Sequence, residues 1–410
     1  MTDPRRSAAD RTALSTARER LRAVVTPIDR TETLPVSTAV DRPLAEPVVA
    51  RRAVPAFDQA ARDGFAVRTA DTADATDDAP AELAVTTHAA DAGRATSVEP
   101  GTAIPVEAGD ELPDGADAVV DSVATGYVLA IARPVDPEVG VRRVGADVAA
   151  DETVRPAGHR LRPSDPALCT AVGRTRVEVV QRPTVGIVPT GGGVTSGDPA
   201  PGQTVETDGT TVAEFAERFG AKVTYRDAVA PDPHALRAAV QRDLTKDLLV
   251  TVGGTGPGES DRVVDVIADL GAVEVDGVAL EPAETTSLSV VNERPILSIP
   301  GDPVAAFVAT TQFVAPAVAR LAGRDPPAPR TAADELADDV DSAAGRTSVV
   351  PVSFEGDDES GAETGQTARP VDDEPLSTLA RTDGWVVVPA DRERVVAGET
   401  VSVERWEASV

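Results

Sequence analysis

The sequence has one cysteine, Cys169, and only three histidines, His88, His159 and His234, in 410 residues. One thiol excludes an intrachain disulfide framework, and three scattered imidazoles exclude a Cys/His zinc cluster. Cys169 reads as a small buried hydrophobe rather than a nucleophile. Lysine is nearly missing: Lys222 and Lys246 are the only two among 39 basic residues, against 68 aspartates and glutamates. With a net charge of −29, the chain lacks the clustered cations that displace counterions from phosphate backbones, so no nucleic acid is expected as a partner. A dense anionic surface with arginine as almost the sole cation suits a very salty cytoplasm, where screening quiets self-repulsion. The opening stretch "MTDPRRSAADRTALSTARERLRAVV" has no apolar signal core, and no run of about 18 apolar residues occurs. No membrane association is expected, and the expected location is cytoplasmic.

What is present points to a folded, multidomain chain. Hydrophobic residues make up 41% and fall in blocks such as "DLLVTV" and "PILSIPG", which a disordered acidic chain would not show. Residues 7–25 read as an amphipathic helix with Leu14, Ala17, Leu21, Val24 and Val25 on one face. From Val54 to about residue 139, short apolar segments broken by Pro, Gly and Asp predict a small β-rich domain, with "ADTADATDDAP" as a solvated loop. Between Arg182 and Gly323 the pattern is strand, Gly-rich loop, helix, repeated, which predicts a doubly wound, mostly parallel sheet with ligands at the carboxyl ends of its strands. Beyond the linker "GRDPPAPR", the runs "TSVVPVSF", "GWVVVPA" and "ETVSVERW" predict a C-terminal β-domain, with the segment Gly356 to Gly365 as a separator. The fold class is therefore α/β plus β.

Three junctions carry candidate chemistry. In "LLVTVGGTGPGESDRVVDVIADLG", a buried strand ends at Val252, Gly253, Gly254, Gly256 and Gly258 allow close backbone approach, and Ser260 is placed to cap a helix from Asp261. Free N–H groups at such a helix start suit an anion, although glycines in a strand-to-helix turn also serve structure alone. The spacing matches neither the P-loop nor the dinucleotide fingerprint, which argues against an ATPase or a dehydrogenase. "ILSIPGDPVAAF" repeats the logic with Gly301 in the turn, Asp302 as N-cap and Pro303 as first helical residue. Thr190 to Gly193 forms a third Gly-rich turn. In "VPAFDQAARDGFAVR", Asp58 and Asp63 either bind a divalent metal or a polar substrate, or are simple turn formers. Asp147, in "VRRVGADV", is equally open on chemistry alone.

Taken together, and in the same order, these segments resemble the molybdopterin molybdenumtransferase family of the MoeA and gephyrin E-domain type. "VPAFDQAARDGFAVR" is similar to the family's "vPxFDxSAMDGYAvR", "TVGGTGPGESD" to "ssGGvSvGdyD", and "SIPGDPVAAF" to "glPGNPVsa"; "VRRVGADVAADETVRPAGHRL" also follows a family segment. The resemblance implies a split N-terminal domain (1–50 and 140–181), an inserted β-rich domain (51–139), an α/β domain similar to molybdopterin adenylyltransferase (182–324) and a C-terminal β-barrel domain (325–410). It further implies a homodimer with the site between subunits, contacts with other molybdopterin-pathway proteins, and insertion of molybdate into adenylylated molybdopterin with release of AMP, helped by Mg2+. By resemblance, Asp63, Asp147 and Asp261 are the catalytic and metal-binding acids, and Gly191, Gly253, Gly254, Gly256, Ser260, Pro300, Gly301, Asp302 and Pro303 line the ligand loops.

The chain departs from the family pattern at several positions. Gly192 and Gly193 stand where two carboxylates are expected, and Pro231 replaces an aspartate. Ala108 replaces a threonine of the inserted domain, Asp302 an asparagine, and Glu281 and Glu284 two lysines near the anionic ligand. The alternative to an active transferase is a catalytically impaired paralogue, a pterin- or nucleotide-binding or regulatory dimer. Another enzyme class on the same fold is a third option.

Overall fold

The computed structural model describes residues 11–86, 97–195, 197–326, 328–355, 367–371 and 375–406. His88, the first residues of the helix expected over 7–25, and the separator Gly356 to Gly365 lie outside the described residues. The chain forms two compact units, residues 1–30 with 180–410, and residues 31–179.

The first unit begins with α1 (Leu14–Val24). Its apolar stripe, Ala17, Leu21 and the following Val25, is buried in the core of the α/β sheet. The N-terminal helix therefore belongs to this unit and not with residues 31–50. The sheet is built from β1 (Thr184–Pro189), α2 (Asp208–Arg218), β2 (Lys222–Tyr225), α3 (Pro233–Asp243), β3 (Leu248–Val252), α4 (Val263–Ala268), β4 (Ala272–Asp276), β5 (Ser287–Val291), β6 (Arg294–Ile299) and α5 (Pro303–Ala309). Its strand order is β2-β1-β3-β6-β5-β4; the first four strands are parallel, and β5 and β4 run antiparallel at one edge. β3 is buried at every position, as a parallel strand covered on both faces must be. Asp302 caps α5 by accepting the Ala305 N–H at 2.9 Å, with Pro303 at the first helical position, as expected. The helix then passes through a π turn at Thr310–Val314 into α6 (Ala315–Leu321). The stretch Pro303–Leu321 is long and apolar enough to cross a membrane by length and composition, but 89% of that window is buried inside the protein, which marks a core helix.

The C-terminal strands close into a barrel: Thr347–Glu355, Thr367–Pro370, Arg330–Leu336, Thr400–Arg405 and Gly384–Val388, the last pairing back onto the first. Leu280–Glu281, between β4 and β5, adds to this barrel in parallel with Thr347–Ser348. A row of aromatic rings runs from α2 into the barrel: Phe215 on Phe307 at 4.5 Å, Phe307 on Trp385 at 5.0 Å and Trp385 on Trp406 at 6.3 Å between centroids.

In the 31–179 unit, Val36, Leu44, Leu161, Cys169 and Val179 share one core, so Cys169 is the buried hydrophobe expected. Its thiol is pushed up by burial, which leaves it inert. Residues 64–131 contribute a separate six-stranded sheet with its own apolar clusters. Gln59–Ala60 and Val141–Arg142 pair antiparallel where the chain enters and leaves it. Asp165, fully buried at the start of a helix, accepts from Arg155 at 2.8 Å, from the Arg162 N–H at 2.7 Å and bonds His159 at 2.7 Å.

Asp247, at the foot of β3, shows how buried acids are held. It is 2% exposed, receives two bonds from Arg30 at 3.0 and 2.6 Å, and accepts both the N–H and the hydroxyl of Thr184 at 2.8 Å. Burial pushes its pKa up, but these donors outweigh burial and hold it low. The stability it contributes is thus present above the ordinary carboxylate range near 3.9 and is lost as pH falls below that. Asp247→Asn should lower unfolding stability by about 3 kcal/mol at pH 7, between the cost of a lost charged hydrogen bond and that of a fully buried broken pair. Chemical denaturation at pH 7 and pH 3 tests this: the difference between the two proteins should shrink at the lower pH.

Candidate functional site: a three-loop cleft

The strand order places a switch point between β1 and β3, where successive crossovers leave in opposite directions and the loops diverge to open a crevice. A cavity of about 800 Å3 occupies that crevice. It is lined by the loop after β1 (Thr190, Gly191), the loop after β3 (Gly253, Gly254, Gly256, Asp261) and the loop after β6 (Pro300, Gly301, Asp302, Pro303). Eight of the nine residues nominated for the ligand loops, together with Asp261, therefore meet in one cleft.

The ninth, Ser260, does not line it, nor does it cap a helix. α4 starts at Val263, and Arg262 occupies the N-cap position without a side-chain bond. The cause is Asp261, which turns back into its own loop and accepts the Gly258 N–H at 3.0 Å, so that the chain makes a tight turn before the helix starts. A Cβ on Gly256 would stand 2.7 Å from the Asp261 carboxylate, so glycine here makes room for that acid.

The loops pack on one another through backbone. Gly253 has φ +92°, and a Cβ there would meet the Thr190 carbonyl oxygen at 2.3 Å; a Cβ on Gly301 would meet Gly253 Cα at 2.9 Å. The Thr190 hydroxyl donates to the Gly253 carbonyl at 2.7 Å. Structural need and ligand access therefore coincide: the same missing side chains that let the loops stack leave peptide groups at the cleft surface.

Electrostatically the cleft is acidic. Glu206, Asp208, Asp261 and Asp302 line it, and no lysine or arginine does among the described residues. Glu206 and Asp208 escaped the sequence reading, since an acid beside a helix start resembles an ordinary first-turn residue. Glu206 accepts the Gly209 N–H at 2.6 Å and the Tyr225 hydroxyl. The Asp208 carboxyl is raised to about 6, chiefly by burial, with Glu206 and Asp302 adding repulsion.

The other nominated acids belong to the 31–179 unit. Asp63 is exposed and accepts the Ala108 N–H at 2.8 Å, which joins two positions singled out separately in the sequence. Asp147 is exposed beside a smaller pocket of Val54, Pro55, Gln59 and Arg142. Asp58 is structural: its carboxyl takes the Val144 N–H at 2.7 Å and Arg143 at 2.6 Å, which hold it low. Among the described residues, no group of three or more His, Cys, Asp or Glu side chains could hold a metal ion.

Glu281 and Glu284, expected near the anionic ligand, do not line the cleft. Glu281 is drawn off by the strand pairing that attaches its segment to the barrel, and it pairs with Arg346 at 2.7 Å. Glu284 faces Arg11 at 3.6 Å. Their neighbour Thr285 reaches the cleft instead, where its hydroxyl bonds that of Thr255 at 2.8 Å. Gly192 and Pro231, where acids are missing, are also neighbours: a Cβ on Gly192 would lie 3.5 Å from the Pro231 ring.

A doubly wound domain with a Gly-lined cleft at its switch point, followed by a closed barrel, defines the class: a multidomain α/β protein that takes its ligand at the carboxyl ends of parallel strands, with accessory β-domains. The family model described as a probable molybdopterin binding domain matches residues 172–320, that of the MoeA N-terminal region (domain I and II) matches 12–173, and that of the MoeA C-terminal region (domain IV) matches 335–406. Molybdopterin molybdenumtransferase 2 of Mycobacterium tuberculosis is 33% identical over 309 residues, covering 72% of this chain and 76% of its own length. The Bacillus subtilis molybdopterin molybdenumtransferase is 31% identical, covering 70% of each. The solved MoeA protein of Pyrococcus horikoshii superimposes with a TM-score of 0.83 at 27% identity, over 97% of this chain and 99% of that one. The chain belongs to the molybdopterin molybdenumtransferase family, of the MoeA type.

The loop stacking makes a steric prediction. Gly253→Ala and Gly323→Ala each place a Cβ on a left-handed residue (φ +92° and +67°), but Gly323 has nothing within 4 Å. Gly323→Ala should cost about 1 kcal/mol of unfolding stability and Gly253→Ala at least ~2 kcal/mol more, because a backbone carbonyl cannot step aside. Equal costs in thermal or chemical unfolding would show that the loops are not held in contact.

Proposed function

We propose that this chain is a molybdopterin molybdenumtransferase: it binds adenylylated molybdopterin, inserts molybdate, and releases AMP. The observation that carries the reading is the convergence of the three Gly-rich loops on one cleft in a chain of this family. Peptide N–H groups at Gly254 and Gly301 suit phosphate oxygens, the Gly253 N–H being held by the Ile299 carbonyl at 2.9 Å, and a cavity of about 800 Å3 has room for a dinucleotide-sized ligand.

With no lysine or arginine among its described lining residues, the cleft relies on dipoles and on solution cations to offset the ligand's charge. Magnesium would supply that neutralisation when bound, and Asp63, Asp147 and Asp261 are the acids the family resemblance nominates to hold it. The family resemblance implies a homodimer whose site draws on both subunits. A cytoplasmic location, a salt-adapted surface and contacts with other proteins of the pathway complete the proposal.

Purified protein supplied with adenylylated molybdopterin, molybdate and Mg2+ should release AMP and yield molybdenum-bearing pterin, and Asp261→Asn should reduce the rate at least tenfold. Light scattering of the same preparation in molar salt should give about twice the 42.2 kDa chain mass. Tight pterin binding without AMP release would instead assign the impaired, ligand-holding role.

The raised Asp208 carboxyl gives a pH signature. Below about 6 it is neutral, and above about 6 it adds a negative charge to a cleft that must take an anion. Affinity for adenylylated molybdopterin, measured by calorimetry between pH 5 and pH 8, should fall as pH rises through that value. Asp208→Asn should flatten the profile and bind more tightly at pH 8; a variant that kept the native profile would remove Asp208 from the ligand's surroundings.

A further inference from the structure

A second cavity, of about 370 Å3, lies where α1, the π turn and the C-terminal barrel meet, and it shares no residue with the cleft. Its polar walls come from three distant parts of the sequence: Arg18 on α1, Gln312 on the π turn and Glu404 on the last barrel strand. Leu14, Val349 and Val387 supply apolar surface between them.

The two charged groups face this space without pairing with each other. Arg18 donates one bond, to the Gln312 side-chain oxygen, and its other N–H groups have no acceptor among the described residues. Burial pulls its pKa down while the opposing charge of Glu404 works the other way, as expected of a guanidinium partly removed from water. Glu404 receives the indole N–H groups of Trp385 and Trp406, each at 3.1 Å and both on Oε2. That arrangement fixes the carboxylate and leaves Oε1 without a donor among the described residues. Gln312, which orients Arg18, is 4% exposed and sits in the π turn, a helix irregularity frequent at functional sites.

A bare anion here would gain Arg18 but be repelled by Glu404, and a bare cation the reverse. A neutral apolar molecule would desolvate both charges and answer neither. A ligand with a carboxylate at one end and an ammonium at the other answers both. At about 370 Å3 the cavity sits at the low end for ligand sites, so that ligand is small. The geometry points to a binding site for a free α-amino acid with a short aliphatic side chain, its carboxylate on Arg18, its ammonium on Glu404 and its side chain against Leu14, Val349 and Val387.

Isothermal titration of the full chain with L-alanine, L-valine and L-leucine tests this. At least one should give a saturable one-to-one isotherm, and its N-acetyl and carboxamide derivatives, each lacking one charge, should bind at least tenfold more weakly. Arg18→Met and Glu404→Gln should weaken binding by at least tenfold, with circular dichroism confirming that each variant is folded. Should Glu404→Gln fail to fold, because its amide offers the two indoles a single uncharged oxygen, the capped ligands on the native chain still decide. No saturable heat from any of the three amino acids, capped ligands binding as tightly as free ones, or folded variants binding unchanged would each overturn the assignment.

Discussion

The architecture of the cleft rests on a contact between two peptide backbones, Gly301 lying against Gly253, which is itself seated under the Thr190 carbonyl. Each of these glycines ends a parallel strand, so their contact fixes the spacing of three strand ends at once. The hydroxyl of Thr190 ties the first loop to the second at 2.7 Å. Everything the cleft presents, from its peptide dipoles to the capping Asp302, takes its position from this stacking. A side chain at either glycine would have to push main chain, not merely another side chain, out of the way.

The framework was legible because it is written in local patterns. A buried, largely apolar β3, Gly-rich turns and the Asp302-Pro303 helix start each obey short-range rules, and all hold in the structure. What was not legible depended on partners far away in sequence. Ser260 precedes an apolar run as a cap would, but Asp261 folds back onto Gly258 and delays the helix to Val263. Glu281 and Glu284 stand where basic residues are expected, yet strand pairing with Thr347–Ser348 turns their segment toward the barrel, and Arg346 and Arg11 answer them there. Asp208 is unremarkable in the sequence; its raised carboxyl arises from burial beside Glu206 and Asp302, a juxtaposition made by two separate loops.

The scarcity of lysine finds a structural counterpart. Buried carboxylates at Asp165, Asp243 and Asp247 are all met by guanidinium groups, Arg155, Arg226 and Arg30 respectively. A planar fork reaches two oxygens at once, as Arg30 does on Asp247, and it is more weakly hydrated than an ammonium. A chain this acidic must still bury some acids to organise its strand ends. Arginine lets it do so with fixed geometry at these three positions.

The aromatic row joining α2 to the barrel has an optical consequence. Trp385 and Trp406 are the only tryptophans in the chain, and both indoles donate to the same carboxylate oxygen of Glu404. Residues 31–179 contain no tryptophan and a single tyrosine, the exposed Tyr127. Intrinsic emission excited at the indole band is therefore a local gauge of one junction between sheet and barrel. It would stay bright or shift with that junction alone, while the other unit could open or close in the dark.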